Sequence, residues 1–460
     1  HNRRMRYNRS CASTRWRACG RKPPHILDKK GFWYLTMKKH PLLWIILLVA
    51  LLLSACAPQA TATPAEPTAV PTRTPRPMPE GTPMACTLFS LFPDPRDPAS
   101  VNLPPVSDAD WSRGAKNARL TLVEYSDFQC PYCSLAAGFL KEFEEANPDQ
   151  VRVIFRHFPL TSHDKALLAA QAAEAAGLQG KFWEMHDFLF DQANWQVWTA
   201  QSKADFEKWL NEQAASIGLD AGRFSRDLNS EAVVRKVEGT FQKGVEIGLT
   251  GTPSLYVFID GELIFVPEDQ VPYDPATLDA ILKLATLRDI QFDRCPPMII
   301  SPDKQYTATL KTEKGDIKIR LFADKAPLAV NSFVFLARMG YFDGMIFHRV
   351  LPDFVAQTGD PSGTGFGGPG YQFANEVSED LKYDRPGLVG MANAGPDTNG
   401  SQFFITYAEL PQLDGGYTIF GEVIEGMEIA KALTARDPAS AAPADLPPGD
   451  KVLSVTIEEK

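Results

Sequence analysis

From about residue 104 the chain alternates short apolar runs with one long helical stretch. Residues 164–245 repeat Ala, Leu, Glu and Lys at helical spacing, which predicts a helical insertion. Asp260-Gly261 separates two later runs and is typical of a hairpin turn. A last helix is expected at about 275–288. Four runs are predicted to be strands: Leu120–Tyr125, Val151–Phe158, Ser254–Ile259 and Glu262–Val266. The pattern predicts an α/β domain at 104–292.

From residue 303 the hydrophobic period changes to that of half-buried strands. Ile317, Ile319 and Leu321 alternate with polar residues, and Lys314-Gly315 precedes them as a turn. Pro327–Met339 has the pattern of an amphipathic helix. Three further segments belong to this pattern: Tyr306–Thr312, Asp316–Phe322 and Val452–Glu458. Residues 303–460 are therefore expected to form a closed antiparallel β-barrel with two helices.

The N-terminal region has the pattern of an export signal. Leu42–Leu53 is an unbroken run of twelve apolar residues, preceded by Lys38 and Lys39. A membrane-spanning helix needs about 20 such residues, so the run fits a secretory signal instead. The following Leu53-Ser54-Ala55-Cys56 resembles a bacterial lipobox, which implies acylation of Cys56. The alternative is a buried helix that ends in a chance Cys.

Three boundaries follow from this interpretation. Residues 37–56 are predicted to be a lipoprotein signal peptide, and 1–36 a non-native upstream segment. Residues 57–103 are predicted to be a Pro/Thr-rich linker, since 57–85 contain eight Pro and six Thr and no aromatic residue. Such a composition cannot bury a core.

The distribution of charge narrows the class of partner. Residues 1–40 contain twelve Lys and Arg and one acidic residue, whereas the other 420 residues contain 35 basic and 55 acidic residues. Nucleic-acid binding requires clustered basic residues, so the acidic body argues against it.

A pair of cysteines lies where a predicted strand turns into a helix. Cys130-Pro131-Tyr132-Cys133 follows the first strand and opens the segment Ser134–Phe143. A helix N-terminus favours a thiolate at the first Cys, and one helical turn brings the second within reach of a mixed disulfide. Zinc is the alternative, but the pair lacks a second Cys pair or a His spacing that would complete four ligands.

Residues 104–292 resemble the DsbA-like branch of the thioredoxin superfamily in the Cys pair, the helical insertion and Thr252-Pro253 before a late strand. The resemblance implies redox chemistry at Cys130 and Cys133, and a cis Pro253 that contacts substrate together with Thr252. It also implies that Glu124 is a buried acid in a proton relay; the alternative is a solvated carboxylate. The Pro-Tyr dipeptide is glutaredoxin-like, so the redox direction stays open.

Cys86 and Cys295 flank this domain. In an oxidising compartment we expect a structural disulfide between them, and two separate thiols are the alternative.

Two long motifs mark residues 303–460. Residues 347–360 contain Phe-His-Arg followed by Phe354 and Gln357, and residues 391–405 contain Met-Ala-Asn-Ala-Gly and Ser-Gln-Phe-Phe. Both resemble cyclophilins, which are peptidyl-prolyl cis-trans isomerases. Gly363–Gly368 fits a dinucleotide-binding pattern, but Pro369-Gly370 follows where a helix is required. Gln412 and Tyr417 replace the family's usual Trp and His.

The cyclophilin resemblance implies a set of site residues without a cofactor or metal. Arg349 is expected to donate to the prolyl nitrogen as the amide twists. Phe354, Gln357 and Asn393 complete the expected catalytic set. The residues expected to bind substrate are Val355, Ala392, Phe404, Leu413, Tyr417 and His348.

Together these features predict a membrane-tethered, extracytoplasmic folding factor. Its expected partners are unfolded or newly exported polypeptides, an unknown redox partner and the membrane. Two alternatives stay open: a dithiol reductant for one dedicated partner, and a cyclophilin domain that only binds peptides.

Overall fold

The computed structural model describes residues 78–270, 274–440 and 445–460. The predicted upstream segment, the signal peptide with Cys56, and the linker as far as residue 77 lie outside the described residues. Within the described ranges, each helix is too short or too polar to cross a membrane.

The described part of the predicted linker, residues 78–103, packs against both folded domains. Strand β1 (Thr87–Leu88) pairs antiparallel with Tyr371–Gln372. Met84 is buried in the core of the second domain (residues 303–460), and Phe92 in that of the first domain (residues 104–292). The prediction of a linker to residue 103 is therefore wrong for these residues, because Met84, Phe92 and Leu103 are buried in folded cores and β1 is paired, although Leu88 and Phe89 stay exposed.

A disulfide joins Cys86 to Cys295, with their Cα atoms 5.8 Å apart. The first domain lies between these two cysteines along the chain. Its C-terminal boundary also differs from the prediction, because the Phe292 ring lies 5.1 Å from the Phe335 ring in the core of the second domain. The segments before and after the first domain are thus joined to each other by the disulfide, and both contact the second domain.

The first domain is built on a five-stranded sheet in the order β2-β4-β3-β5-β6. The central strand, β3, is parallel to β4 and antiparallel to β5. The strands are β2 (Trp111–Gly114), β3 (Leu120–Ser126), β4 (Val151–His157), β5 (Ser254–Ile259) and β6 (Glu262–Phe265). The four strands predicted from the sequence are confirmed, and β2 was not predicted.

Helices cover this sheet and form the predicted insertion. Helix N-cap side chains start five of them: Asp191, Ser202, Asp220, Ser230 and Asp274 each accept a hydrogen bond from a backbone N–H of the first turn. The helices are α1 (Pro131–Ala146), α2 (Ala166–Gly177), α3 (Phe182–Phe190), α4 (Gln192–Thr199), α5 (Lys203–Gln213), α6 (Ala221–Leu228), α7 (Glu231–Glu246) and α8 (Pro275–Leu287).

The second domain contains an eight-stranded antiparallel sheet in the order β15-β7-β8-β14-β12-β13-β10-β9. The strands of this domain are β7 (Tyr306–Thr312), β8 (Gly315–Leu321), β9 (Arg349–Leu351), β10 (Val355–Thr358), β11 (Tyr371–Gln372), β12 (Leu388–Met391), β13 (Phe403–Thr406), β14 (Ile419–Glu425) and β15 (Val452–Glu459). β11 pairs with β1 instead of joining this sheet.

The prediction of a closed barrel is wrong: the sheet is open between β9 and β15. The three-residue strand β9 is too short to continue the ladder, and at this edge only isolated bridges form, Val350 to Arg436 and Ile346 to Lys451. Helices α9 (Pro327–Arg338) and α10 (Met427–Lys431) also belong to this domain. Aromatic side chains such as Phe333, Phe403 and Phe420 fill the main core.

The Cys86–Cys295 bond should stabilise the fold by restricting the unfolded chain. Replacing both residues by Ser removes a cross-link over 209 residues, for which the chain-entropy limit is about 5 kcal/mol. We expect the double variant to unfold at lower urea concentration, measured by circular dichroism. As a control, a reductant should lower the midpoint of the wild type by more than that of the variant, which keeps only the Cys130–Cys133 pair in the described part of the chain. Equal midpoints for the oxidised wild type and the variant would contradict this prediction.

Candidate functional site

The two cysteines of the first domain lie at a strand-to-helix junction. β3 ends at Ser126, and Cys130 is the N-cap of α1, with extended backbone angles. Pro131 occupies the first helical position, where its fixed φ fits and a missing N–H costs nothing. Cys133 follows one turn along and is completely buried.

The two thiols have opposite shifts in pKa. Hydrogen bonding from the Cys133 thiol is the largest influence on Cys130, and with the Cys133 backbone N–H it lowers the pKa of Cys130 to about 5 although burial opposes ionisation. Burial raises the pKa of the Cys133 thiol well above its ordinary value, and its hydrogen bond to Cys130 raises it further. Cys130 is therefore the group that carries the thiolate at neutral pH.

Glu124 lies on β3 behind the cysteines, with 1% of its surface exposed. Burial raises its pKa to about 7, and its Oε1 atom lacks a hydrogen-bond partner among the described residues. Its charge in turn raises the pKa of Cys133. The interpretation of Glu124 as a solvated carboxylate is wrong, because the strand is covered on both faces.

The loop before β5 lies against the dithiol. The Thr252-Pro253 peptide bond is cis, and Sγ of Cys130 lies 3.4 Å from the Thr252 carbonyl oxygen, to which it donates only while it is protonated. The two predicted substrate-binding residues of this domain are thus next to the first cysteine. Among the described residues, His, Cys, Asp and Glu side chains form no group of three or more that could hold a metal ion.

Sequence reasoning missed the residues that support the dithiol loop. The buried Asp127 carboxylate accepts hydrogen bonds from the backbone N–H groups of Gln129, at 2.7 Å, and Leu160, at 2.9 Å, and lies 2.7 Å from Nδ1 of His163. The Asp127 N–H donates in turn to Sγ of Cys133 at 3.4 Å. These contacts fix the turn that ends at the first cysteine.

In the second domain, register places three predicted residues in one row across the sheet. Arg349 on β9 pairs with Gln357 on β10, which pairs with Phe404 on β13. Directly paired residues share a face of the sheet, so their side chains are neighbours. The Arg349 guanidinium carbon lies 5.4 Å from the centre of the Phe354 ring.

A small apolar cluster, separate from the main core, adjoins this row. Val355 and Phe404 are buried in it, and Phe354, Ala392, Leu413 and Tyr417 pack against it while half-buried. The Tyr417 ring meets the Phe404 ring edge to face, 5.8 Å away. We call this cluster the apolar pocket. The half-buried Arg349 guanidinium therefore lies beside the apolar pocket, whose own side chains are partly exposed.

Amides border the pocket. Nε2 of Gln357 donates to Oε1 of Gln402 at 2.9 Å, and Nδ2 of Asn393 donates to the Gly416 carbonyl at 3.0 Å. His348 does not belong to this border: only 1% of it is exposed, and both ring nitrogens lack hydrogen-bond partners among the described residues. The role of His348 in substrate binding stays a prediction, and in this structure its ring is buried.

Two further residues of the pocket were missed. Tyr383 stacks on Phe404 at 5.8 Å and is completely buried. A Cβ atom on Gly390 would lie 2.0 Å from the Tyr383 hydroxyl, so this close approach requires glycine. The sequence offers no signal for Tyr383, which lies outside both long motifs.

Fold and site together define a protein with a thioredoxin-like domain followed by a cyclophilin-type domain. Residues 307–457 match the family model for cyclophilin type peptidyl-prolyl cis-trans isomerase/CLD, and residues 107–283 match a thioredoxin model.

Named relatives match the second domain. Peptidyl-prolyl cis-trans isomerase A of Mycobacterium tuberculosis is 47% identical over 157 residues, which are 30% of this chain and 86% of that protein. The isomerase CYP18-1 of Arabidopsis thaliana is 51% identical, covering 27% of this chain and 79% of that protein. Peptidyl-prolyl cis-trans isomerase-like 3 of Rattus norvegicus is 50% identical, covering 26% and 78%. The chain belongs to the cyclophilin-type peptidyl-prolyl cis-trans isomerase family.

The shifted pKa of Cys130 predicts selective alkylation of the reduced protein. A lowered pKa means that the thiolate forms as pH rises through about 5, so iodoacetamide should label Cys130 with a midpoint near that value. Cys133 should stay unlabelled across this range. In Cys133→Ala the largest stabilising hydrogen bond is lost, and the midpoint should rise towards the free-thiol value of about 8.5. Equal labelling of both thiols only near that higher value would contradict the prediction.

Proposed function

We propose that the second domain catalyses cis-trans isomerisation of X-Pro bonds in polypeptides. The observation that supports this most directly is the row of Arg349, Gln357 and Phe404 beside the apolar pocket. The half-buried side chains of the pocket offer apolar surface to a proline ring, and the amides of Gln357 and Asn393 border that surface.

The proposed mechanism follows from the electronic structure of the amide. Rotation must break the resonance of the X-Pro bond, against a barrier of about 20 kcal/mol. As the bond twists, the prolyl nitrogen regains a lone pair. A hydrogen bond from the Arg349 guanidinium to that nitrogen is stronger in the twisted state than in the planar state, and it therefore lowers the barrier. The Phe354 face beside the guanidinium restricts its position.

We further propose that the first domain exchanges thiols and disulfides with polypeptides. The Cys130 thiolate attacks one sulfur of a substrate disulfide, forming a mixed disulfide and releasing a substrate thiolate. Cys133 then gives its proton to the Glu124 carboxylate and attacks Sγ of Cys130. The second substrate thiolate leaves, and the Cys130–Cys133 disulfide forms. The substrate gains two electrons and the dithiol loses them; the reverse sequence oxidises a substrate.

Both reactions act on slow covalent steps of folding. We therefore propose an extracytoplasmic folding factor, tethered to the membrane through acylated Cys56, that acts on unfolded or newly exported polypeptides. A reductant for one dedicated partner is the second candidate, and it is favoured by the Pro-Tyr dipeptide between the cysteines. An unknown redox partner must reset the dithiol in either case.

Substitutions should separate the two proposed activities. Arg349→Ala removes the donor to the prolyl nitrogen and should lower proline isomerisation of a model peptide by about a hundredfold, the scale of one lost transition-state hydrogen-bond donor. Insulin reduction by the same variant should match wild type. Cys130→Ser should abolish insulin reduction and leave isomerisation intact, because distant sites behave independently.

Each variant serves as the control for the other. Isomerisation at the wild-type rate in Arg349→Ala would exclude this residue as the donor and favour a domain that only binds peptides. Insulin reduction that survives Cys130→Ser would exclude the proposed thiol chemistry.

The proposed tether predicts a difference in fractionation. Cys56→Ala removes the acylation site, so the protein should move from the membrane fraction to the soluble fraction of its host cell. Thr61→Ala, outside the lipobox and away from the disulfide, is the matched control and should stay with the membrane. Mass spectrometry of a membrane-extracted wild type without an acyl group would contradict the tether.

A further inference from the structure

A groove of about 250 Å³ opens beside the apolar pocket. It shares Gln357, Ala392 and Asn393 with the residues assigned to the isomerase site, so the two surfaces are continuous. Another part of its wall is formed by Phe89 and Leu91, which precede the first domain in the chain. The groove is smaller than the usual site of a drug-sized ligand and suits a single side chain.

Phe89 is held at this wall by the backbone. Its N–H donates to the Gly370 carbonyl at 2.9 Å, directly after β1 pairs with β11. Gly370 has a φ of +90°, and a Cβ there would lie 2.7 Å from the Phe292 carbonyl oxygen. The loop that ends at Gly370 is thus clamped between the segments that enter and leave the first domain.

The wall is uncharged, although the whole chain carries a net charge of −9. Its polar groups are amides, hydroxyls and backbone atoms, and each of its described lining residues lacks a formal charge. Phe89 is 43% exposed and Phe366 is 74% exposed, so both rings present apolar surface to an incoming chain. A charged side chain would lose hydration here without an opposite charge to compensate.

We propose that Phe89 determines substrate specificity in the isomerase reaction, by binding a large apolar side chain close to the target proline. This inference rests on the proposed isomerase function, because the groove continues from the site assigned to it. The occupant is a residue of the substrate polypeptide itself, within two positions of the proline. The segment before the thioredoxin-like domain thereby contributes to the site of the cyclophilin-type domain.

The test uses the full chain and a set of proline peptides. At each of the two positions before proline and the one after it, the residue is varied among Phe, Leu, Gly and Glu, and kcat/KM of isomerisation is measured. Wild type should prefer Phe and Leu over Gly and Glu at one of these positions. In Phe89→Ala this preference should fall about tenfold through a higher KM, with kcat and the rate on the Gly peptide unchanged.

Leu88→Ala is the matched control. Leu88 is the neighbouring residue, is similarly exposed and does not line the groove, so its loss should leave the preference intact. Phe89→Asp is the second variant; with a Lys peptide added to the set, it should reverse the preference towards Lys at the same position. Wild-type turnover of the Gly peptide shows that each variant is folded.

A preference that is unchanged in Phe89→Ala and Phe89→Asp would overturn the proposal, as would an equal change in Leu88→Ala. Failure of the groove proposal can be told apart from failure of the proposed isomerase function by also measuring the dissociation constants of the same peptides. If Arg349→Ala isomerises as fast as wild type, the catalytic assignment fails. The ratio of peptide affinities between wild type and Phe89→Ala still tests the groove.

Discussion

The arrangement of the described chain depends on the covalent bond between Cys86 and Cys295. This bond fixes the point where the chain enters the thioredoxin-like domain next to the point where it leaves. β1 and Met84 lie on the entry side and pack against the second domain, and Phe292 on the exit side does the same. The first domain is consequently an insertion between a short N-terminal strand of the second domain and the remainder of that domain. The strand pairing and the buried side chains add non-covalent contacts to the same junction.

The two candidate sites use burial in opposite ways. At the dithiol, burial raises the pKa of Glu124 to about 7 and that of Cys133 well above its ordinary value. At neutral pH Cys133 therefore keeps its proton and Cys130 is the thiolate, while Glu124 is close to its titration midpoint and can accept a proton. Glu124 is a buried carboxyl whose Oε1 atom has no hydrogen-bond partner among the described residues, which is unfavourable for folding. It lies close to Cys133, the thiol whose proton must move in the proposed reaction. At the second site, the Arg349 charge stays half-buried, where it keeps partial contact with solvent, and the surrounding cluster is apolar.

Local patterns predicted the elements and the residues that lie in them. Alternation identified β7 and β8, and the strand-to-helix turn at Cys130 followed from one short motif. Contacts between distant segments were not predictable in this way. Asp127 meets His163 only after the chain has folded, and Tyr383 reaches Phe404 from outside either motif. The closed barrel was wrong for a related reason: pairing at the edge between β9 and β15 depends on where a three-residue strand stops, which the hydrophobic period does not encode.

The pairing of β1 with β11 has a consequence for the order in which the protein is made. A ribosome synthesises Thr87 and Leu88 before the whole thioredoxin-like domain, whereas their partners Gln372 and Tyr371 follow almost 300 residues later. During that interval the strand has no ladder to join, and Met84 has no core to enter. The thioredoxin-like domain can complete its own sheet from β2 to β6 in the meantime. The first residues of the cyclophilin-type domain to leave the ribosome are therefore among the last to reach their place in it, and a nascent chain that stops before Tyr371 contains β1 without its partner strand.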